Sequence, residues 1–433
     1  MTLVRLVTCM LSPNVPRSEP LSHVTSLAVF LMGALALVVP SGYSVGPVLL
    51  LLASTALLFK RFKCSSFVLL PQDRWIIVAL VAYGLVVGVM SAVELGSRGF
   101  DGPLRFLLAI PVLLLILRYP PRLSWFWGGL ALGAIGAGSL ALWMKLVEGV
   151  VRAGGFLHVI QFGNLSMLMG VLCFAGLGWA VVQRQRHAWV ALLLLGALLG
   201  MLGSLMSGSR GGWVGLPVVA YVLYRGYGRQ LPVTIKAGAV GAALALVATV
   251  YLLPQTGVQQ RVEAAVSDIS HYVSGTETDT SLGLRFEMWR GAAQLIAERP
   301  LLGWGEAGYR EALGELGEQG VISPVAAEFG HAHNEFIDAF AKRGLVGLAV
   351  LLMLYMIPMR MFAPGLSHPD LPTRSLAVAG TLLPVAFIDF GLSQTFLAHN
   401  SGATFYAFWL AVLWGSYRCT ACSSAATRPC ARG

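Results

Sequence analysis

The polar residues that could carry chemistry fall in a few short strings. SGSRGGW holds Arg210, RAGGF holds Arg152, LRFEMWRG holds Arg285, Trp289 and Arg290, and HAHN holds His331 and His333 before Asn334. A guanidinium presents a planar fork of donors that fits phosphate oxygens. A helix N-terminus disfavours an imidazolium, so a histidine in HAHN can stay neutral and take a proton as a general base. Each string also has a structural reading. Arg210 could snorkel from a helix end, although the glycines around it permit close backbone approach. Arg285 would be expected, from composition alone, to pair with one of the many nearby carboxylates. Asn334 could simply cap a helix. Histidines two residues apart do not share a helix face, so HAHN is not a helical metal pair. Asp389 lies in an apolar run, where an arginine on a neighbouring helix is its expected partner.

Several chemistries lack their motifs. The sequence has no Asp-x-Asp pair, no His-Glu-x-x-His, no phosphate-cradling P-loop and no Gly-x-Ser-x-Gly. Gly303 and Gly305 give only Gly-x-Gly, too little for a nucleotide site. Nothing therefore points to a metal or a cofactor. Six cysteines are present, none between 255 and 334, so no disulfide framework is expected there. Cys419 and Cys422 form a lone Cys-x-x-Cys without a second ligand pair, expected to sit in a terminal tail.

The elements that must position these residues are set by lipid. The chain is 433 residues, 56% apolar and only 12% charged. Twelve apolar runs approach spanning length: 25–40, 42–59, 75–93, 103–117, 124–144, 160–182, 188–206, 212–226, 235–254, 344–362, 375–392 and 402–417. Lipid cannot satisfy free backbone groups, so the runs should be helices and the fold an all-α integral membrane protein. The net charge of +10 does not indicate nucleic acid, because the basic residues sit singly or in small groups between apolar runs.

Their placement sets orientation. Twelve crossings from a cytoplasmic N-terminus put 18 of the 30 Lys and Arg in inside segments and only Arg98, Arg105, Lys145, Arg152 and Arg210 in the short outside loops. Residues 1–24 then read as a cytoplasmic tail, 25–254 as spans 1–9, 255–334 as a large non-cytoplasmic loop, 335–417 as a lead-in helix with spans 10–12, and 418–433 as a second cytoplasmic tail. The loop region is distinct: 13 of the 20 Asp and Glu lie between Glu263 and Asp338. A connection this long is expected to be functional. After Gly283 the spacing predicts a helix with Phe286, Trp289, Ala293 and Ile296 on one face, ended by Pro300. A second helix is predicted from HAHNEF, with Phe336, Ile337 and Phe340 on one face. Such a loop helix would lie on the bilayer or cap the bundle.

The string LRFEMWRGAAQLIAERPLLGWGEAGY, followed by HAHNEFIDAFAKRGLVGL, resembles the signature of O-antigen ligases and their polymerase relatives. The matching positions are Arg285, Trp289, Pro300, Gly303, Gly305, His333, Asn334, Gly344 and Gly347, and the strings around Arg210 and Arg152 are similar to ligase segments. The resemblance covers about residues 100–360. It implies a glycosyltransferase of the Gram-negative inner membrane, acting at its periplasmic face. Such an enzyme moves a glycan from undecaprenyl diphosphate to a sugar hydroxyl of lipid A–core, inverting the anomeric carbon without a metal. In that scheme Arg210 and Arg285, with Arg152 and Arg290, would hold the diphosphate. His333 would be the base, with His331 the alternative and Asn334 and Trp289 in support. An O-antigen polymerase or a protein O-oligosaccharyltransferase would share the donor and differ in acceptor. From other classes, a flippase would place coupling residues at the midplane in repeated halves, a pattern the sequence lacks, and a binding scaffold would need no His333.

Overall fold

The computed structural model describes residues 19–59, 69–209, 211–252 and 258–426. Arg210 lies outside the described residues, as do 1–18 and 427–433 of the two expected tails. Among the described residues every element is helical. The first nine helices are α1 (Glu19–Ala34), α2 (Gly42–Phe59), α3 (Pro71–Leu95), α4 (Asp101–Arg118), α5 (Leu123–Leu146), α6 (Val159–Ala180), α7 (Arg186–Ser207), α8 (Leu216–Gly226) and α9 (Val233–Leu252). The remainder are α10 (Val258–Ser274), α11 (Ser281–Glu298), α12 (Gly305–Glu318), α13 (Pro324–Ala327), α14 (Glu335–Phe362), α15 (Leu371–Gly391) and α16 (Asn400–Ala426).

Among the described residues six helical stretches are long and apolar enough to cross a membrane: Pro71–Arg118, Leu123–Leu146, Val159–Ala180, Arg186–Ser207, Glu335–Ser367 and Leu371–Gly391. The first is α3 and α4 joined by a 3₁₀ turn at Gly96–Phe100. Helices α6 and α15 are buried on nearly every side and form the middle of the bundle. Around them pack fully buried Trp127, Tyr355, Phe387, Tyr406, Trp409 and Trp414. Without a hydrophobic drive in lipid, helices associate through small residues that let backbones touch. Gly138 on α5 lies against the Leu199 backbone of α7, where any Cβ would collide.

The expected span 212–226 is mostly turn at its start. Its helix, α8, begins only at Leu216, because Gly211, Gly212 and Gly215 press against Ser393, Phe390 and Asp389 of the α15 end. The expected terminal tail is helical as far as Ala426, and Cys419 Sγ lies 3.3 Å from the Leu117 carbonyl oxygen.

The region 258–334 builds a small core of its own from Ala292, Leu295, Tyr309, Leu313 and Ile322, closed by Ala341 of α14. The predicted face of α11 is rotated: Gly291, Ala292 and Leu295 face this core, Ile296 of the predicted face packs at its edge, and Ala293 is exposed. Phe286 and Trp289 are half-buried and instead meet edge to face beside Tyr272. The predicted apolar face of α14 is likewise only half-buried. Its buried first turns carry Glu335, Asp338 and Lys342: Lys342 pairs with Asp338 and with Glu306, and Glu335 accepts from Tyr355 and Leu397. Helix α14 is broken at Gly344, whose φ of +61° is left-handed. The turn 300–305 fills the break: Leu345 N–H donates to the Pro300 carbonyl at 2.8 Å and Trp304 N–H to that of Ala341 at 3.0 Å.

Candidate functional site

The HAHN string is a strained turn held from both sides. Trp289 Nε1–H donates to the Ala332 carbonyl at 2.8 Å, and Asp338 Oδ1 accepts the Ala332 N–H at 3.1 Å. His331 and His333 flank that fixed residue. His333 has a φ of +47°, and Ser41 is the other non-glycine residue in the left-handed region among the described residues. Such a conformation costs about 1–2 kcal/mol and persists only where neighbours enforce it. Asn334 completes the turn. Its Oδ1 accepts from the N–H groups of Phe336 and Ile337 at 3.0 and 3.1 Å, capping α14, so the capping reading holds.

The bonds of His333 define its proton. Nδ1 lies 2.8 Å from Oε1 of Gln394, a buried amide oxygen that can only accept. Nδ1 therefore carries the hydrogen and Nε2 keeps a lone pair. Burial holds this imidazole down at about 4, the His331 and Arg285 charges push the same way, and the Gln394 bond and Asp338 oppose them. His331 is close, with ring centroids 4.1 Å apart, and its own Nδ1 lies 2.6 Å from the Phe329 carbonyl oxygen.

Arg285 sits one turn before Trp289 on the same face of α11, directed to the same turn. Among the described residues no carboxylate pairs with it, contrary to the expected loop ion pair. Burial draws its pKa down, a measure of what an uncompensated charge costs there. Arg290 is not brought to the histidines. It is exposed and lies 3.8 Å from Glu287, a buried carboxylate that also accepts from Tyr272 Oη at 2.8 Å and Ser323 N–H at 2.9 Å.

Arg152 Nε–H donates to the Ser207 carbonyl at 2.9 Å, at the C-terminus of α7, where a cation is favoured by the helix dipole. The string around Arg210 starts there. Ser209 Oγ lies 3.0 Å from Asn164 Oδ1 of α6, and Gly211 presses on Ser393, the residue before Gln394. The flanks of Arg210 thus meet the segment that holds His333. Among the described residues no arginine pairs with Asp389; it packs on Gly215, and its Oδ1 lacks a hydrogen bond.

Two partners of the turn were not expected from the sequence. Gln394 Nε2 lies 3.5 Å from His399 Nε2, and burial with the His158 and His331 charges lowers the His399 pKa. One signal existed: His399–Asn400 repeats the His-Asn pair of 333–334 immediately before a helix.

The sequence model of the family described as O-Antigen ligase matches residues 195–352. An O-antigen ligase of Escherichia coli is 24% identical over 193 residues, 44% of each chain. The chain belongs to the O-antigen ligase superfamily. A protein of Haemophilus influenzae described as uncharacterized is 30% identical over 395 residues, 90% of this chain and 97% of that one. The span matched by the ligase family runs from α7 into α14 and takes in Arg285, Trp289 and the HAHN turn. Arg152, Gln394 and His399 lie outside it.

Proposed function

We propose that this protein is a ligase that transfers O-antigen polysaccharide from undecaprenyl diphosphate to a sugar hydroxyl of lipid A–core, at the periplasmic face of the inner membrane. The observation that carries the reading is His333, a neutral imidazole held in a strained turn, whose Nε2 has no hydrogen bond and whose neighbour Arg285 has no carboxylate among the described residues. The acceptor hydroxyl gives its proton to Nε2 as its oxygen attacks the anomeric carbon from the face opposite the diphosphate. The bond to the diphosphate oxygen breaks, and the configuration inverts. Negative charge gathers on the departing diphosphate, where Arg285, Arg210 and Arg152 would receive it. Arg290, tied to Glu287, has no part in this scheme. The leaving group is already activated, so the scheme uses no metal and a chelator should leave the rate unchanged.

The same reading keeps twelve crossings with 255–334 outside. Contacts between segments assigned to one side support it. Ser22 bonds the Pro120 carbonyl, Asp73 pairs with Arg418, and Arg374 donates to the Gly226 carbonyl, all between inside segments. Glu94 bonds Glu306 and Ala307, and Arg152 bonds Ser207, all between outside segments.

The test is reconstitution with an undecaprenyl-diphosphate glycan and three separate acceptors: lipid A–core, a second donor glycan and a pilin-like protein. Product on lipid A–core is expected. Product only on the glycan or only on the protein would make it a polymerase or a protein O-oligosaccharyltransferase. No product with any acceptor would sink the transferase reading.

A further inference from the structure

Behind the HAHN turn lies a cavity of about 360 Å³ that the proposed chemistry does not use. Its walls are the end of α3, the start of α4, the first turns of α14 and the segment 395–400. The volume is at the lower end of small-ligand sites and suits a group the size of a sugar.

The charges in this wall are unequally satisfied. Asp101 pairs with Arg105 at 3.2 Å, and Glu306 with Lys342 at 2.8 Å. Asp338 holds Lys342 at 3.1 Å as well as the Ala332 N–H, and Glu335 accepts the Leu397 N–H at 2.9 Å and the Tyr355 hydroxyl at 3.2 Å. Arg98 and Arg343 are different: among the described residues neither has a carboxylate within ion-pairing distance. Arg98 is exposed and Arg343 half-buried, so both stand toward the rim. Tyr83 is only 8% exposed and lines the same space, and among the described residues its hydroxyl has no hydrogen-bond partner. Lining the space without such a bond, it can donate to a group seated there.

We propose that the cavity seats an anionic saccharide headgroup, with its phosphate or carboxylate between Arg98 and Arg343 and a sugar hydroxyl on Tyr83. In the transfer proposed above, on which this assignment rests, that headgroup belongs to the acceptor. Asp338 joins the two sites, since the carboxylate that lines the cavity also fixes the backbone between His331 and His333. The acceptor is therefore anchored across a single wall from the base. The diphosphate approaches the other side, beside Arg285, and two anionic substrates are kept from sharing one pocket.

The full chain in phosphatidylcholine nanodiscs tests this with lipid A–core and its enzymatically dephosphorylated form as acceptors. Arg98→Ala and Arg343→Ala should each raise KM for the phosphorylated acceptor about tenfold, the loss of one charge-assisted hydrogen bond. Donor KM and kcat at saturating acceptor should stay at wild-type values, Arg343→Lys should recover part of the loss, and the dephosphorylated acceptor should not distinguish the variants. Unchanged acceptor KM, or equal rises for donor and acceptor, overturns the assignment. So does competition by phosphatidylglycerol added to the nanodisc, which would make the seat one for bilayer phospholipid. Wild-type protein that transfers to no acceptor would instead overturn the ligase reading. Calorimetry with a soluble phosphorylated core saccharide would then decide the cavity alone: binding that is lost in Arg98→Ala keeps the seat, and no binding to wild type removes it.

Discussion

His333 carries two separable properties, a lone pair at Nε2 and a left-handed backbone, and substitution can pull them apart. Removing the base should cost about 10²–10⁴-fold in rate. His333→Ala and His333→Gly should both fall by that amount in a purified transfer assay. Their stabilities should differ, because glycine accepts a φ of +47° without strain and alanine does not. In thermal melts the glycine variant should exceed the alanine variant by about 1 kcal/mol. Equal stabilities would mean that the turn is not strained, and a normal rate in either would move the base elsewhere. Gln394 offers a second test. The acid limb of kcat/KM should lie near 4, below the usual 6.5 of imidazole. Gln394→Glu puts a carboxylate at Nδ1, favours the imidazolium and raises the pKa, so the limb must move to higher pH. Gln394→Leu removes a bond that raises the pKa, so its limb must not rise while kcat falls. A limb that ignores both changes would detach Gln394 from the base. Of these residues, the histidines, Asn334, Trp289 and Arg285 were legible in the sequence because local strings mark them. Gln394 was not, because it meets His333 only when the end of α15 folds back onto the HAHN turn.

At the scale of elements, the string Pro-x-x-Gly-x-Gly is a clasp. Sequence spacing marks it as a turn, but its reason is non-local. Gly303 and Gly305 both have a φ of +72°. A Cβ on Gly303 would strike the Lys342 backbone, and one on Gly305 would strike only the Glu94 side chain. Glu94 is there because it caps α12, its Oε2 accepting from Glu306 and Ala307 N–H at 2.6 and 3.0 Å. The two substitutions should therefore behave differently. Gly303→Ala meets rigid backbone, so nothing on Glu94 can rescue it. Gly305→Ala should be partly rescued by Glu94→Ala, because the collision disappears and only the backbone strain and a lost cap of about 1 kcal/mol remain. Protease sensitivity of the 258–334 region and the melting temperature would read both. Additive losses for Gly305→Ala and Glu94→Ala would break the argument. The faces of α11 and α14 were misread for a related reason: periodicity finds apolar stripes, whereas these helices bury Glu287, Glu335, Asp338 and Lys342 against specific partners.

The whole molecule has two unlike ends. One is tied by a satisfied pair, in which Asp73 Oδ1 accepts from Trp414 Nε1 at 2.8 Å and Arg418 Nε at 2.9 Å, while Oδ2 accepts the Leu70 N–H. At the other end Arg285, Arg98 and Arg343, which have no carboxylate within ion-pairing distance among the described residues, stand around the HAHN turn and the cavity beside it. Charge counting assigns sides, and cysteine chemistry can test the assignment directly. By that count Cys9, Cys64, Cys419, Cys422 and Cys430 lie in inside segments, and Cys173 is fully buried. An impermeant maleimide added to intact spheroplasts should therefore leave the native chain unlabelled. Glu315 is exposed on α12, in the segment that the same count assigns to the outside, so Glu315→Cys should label at once. Arg184→Cys, in an inside loop, should label only after the membrane is opened. Labelling of the native chain from outside, or of Arg184→Cys before Glu315→Cys, would invert the bundle. His333 would then face the cytoplasm, on the wrong side for the lipid-linked donor.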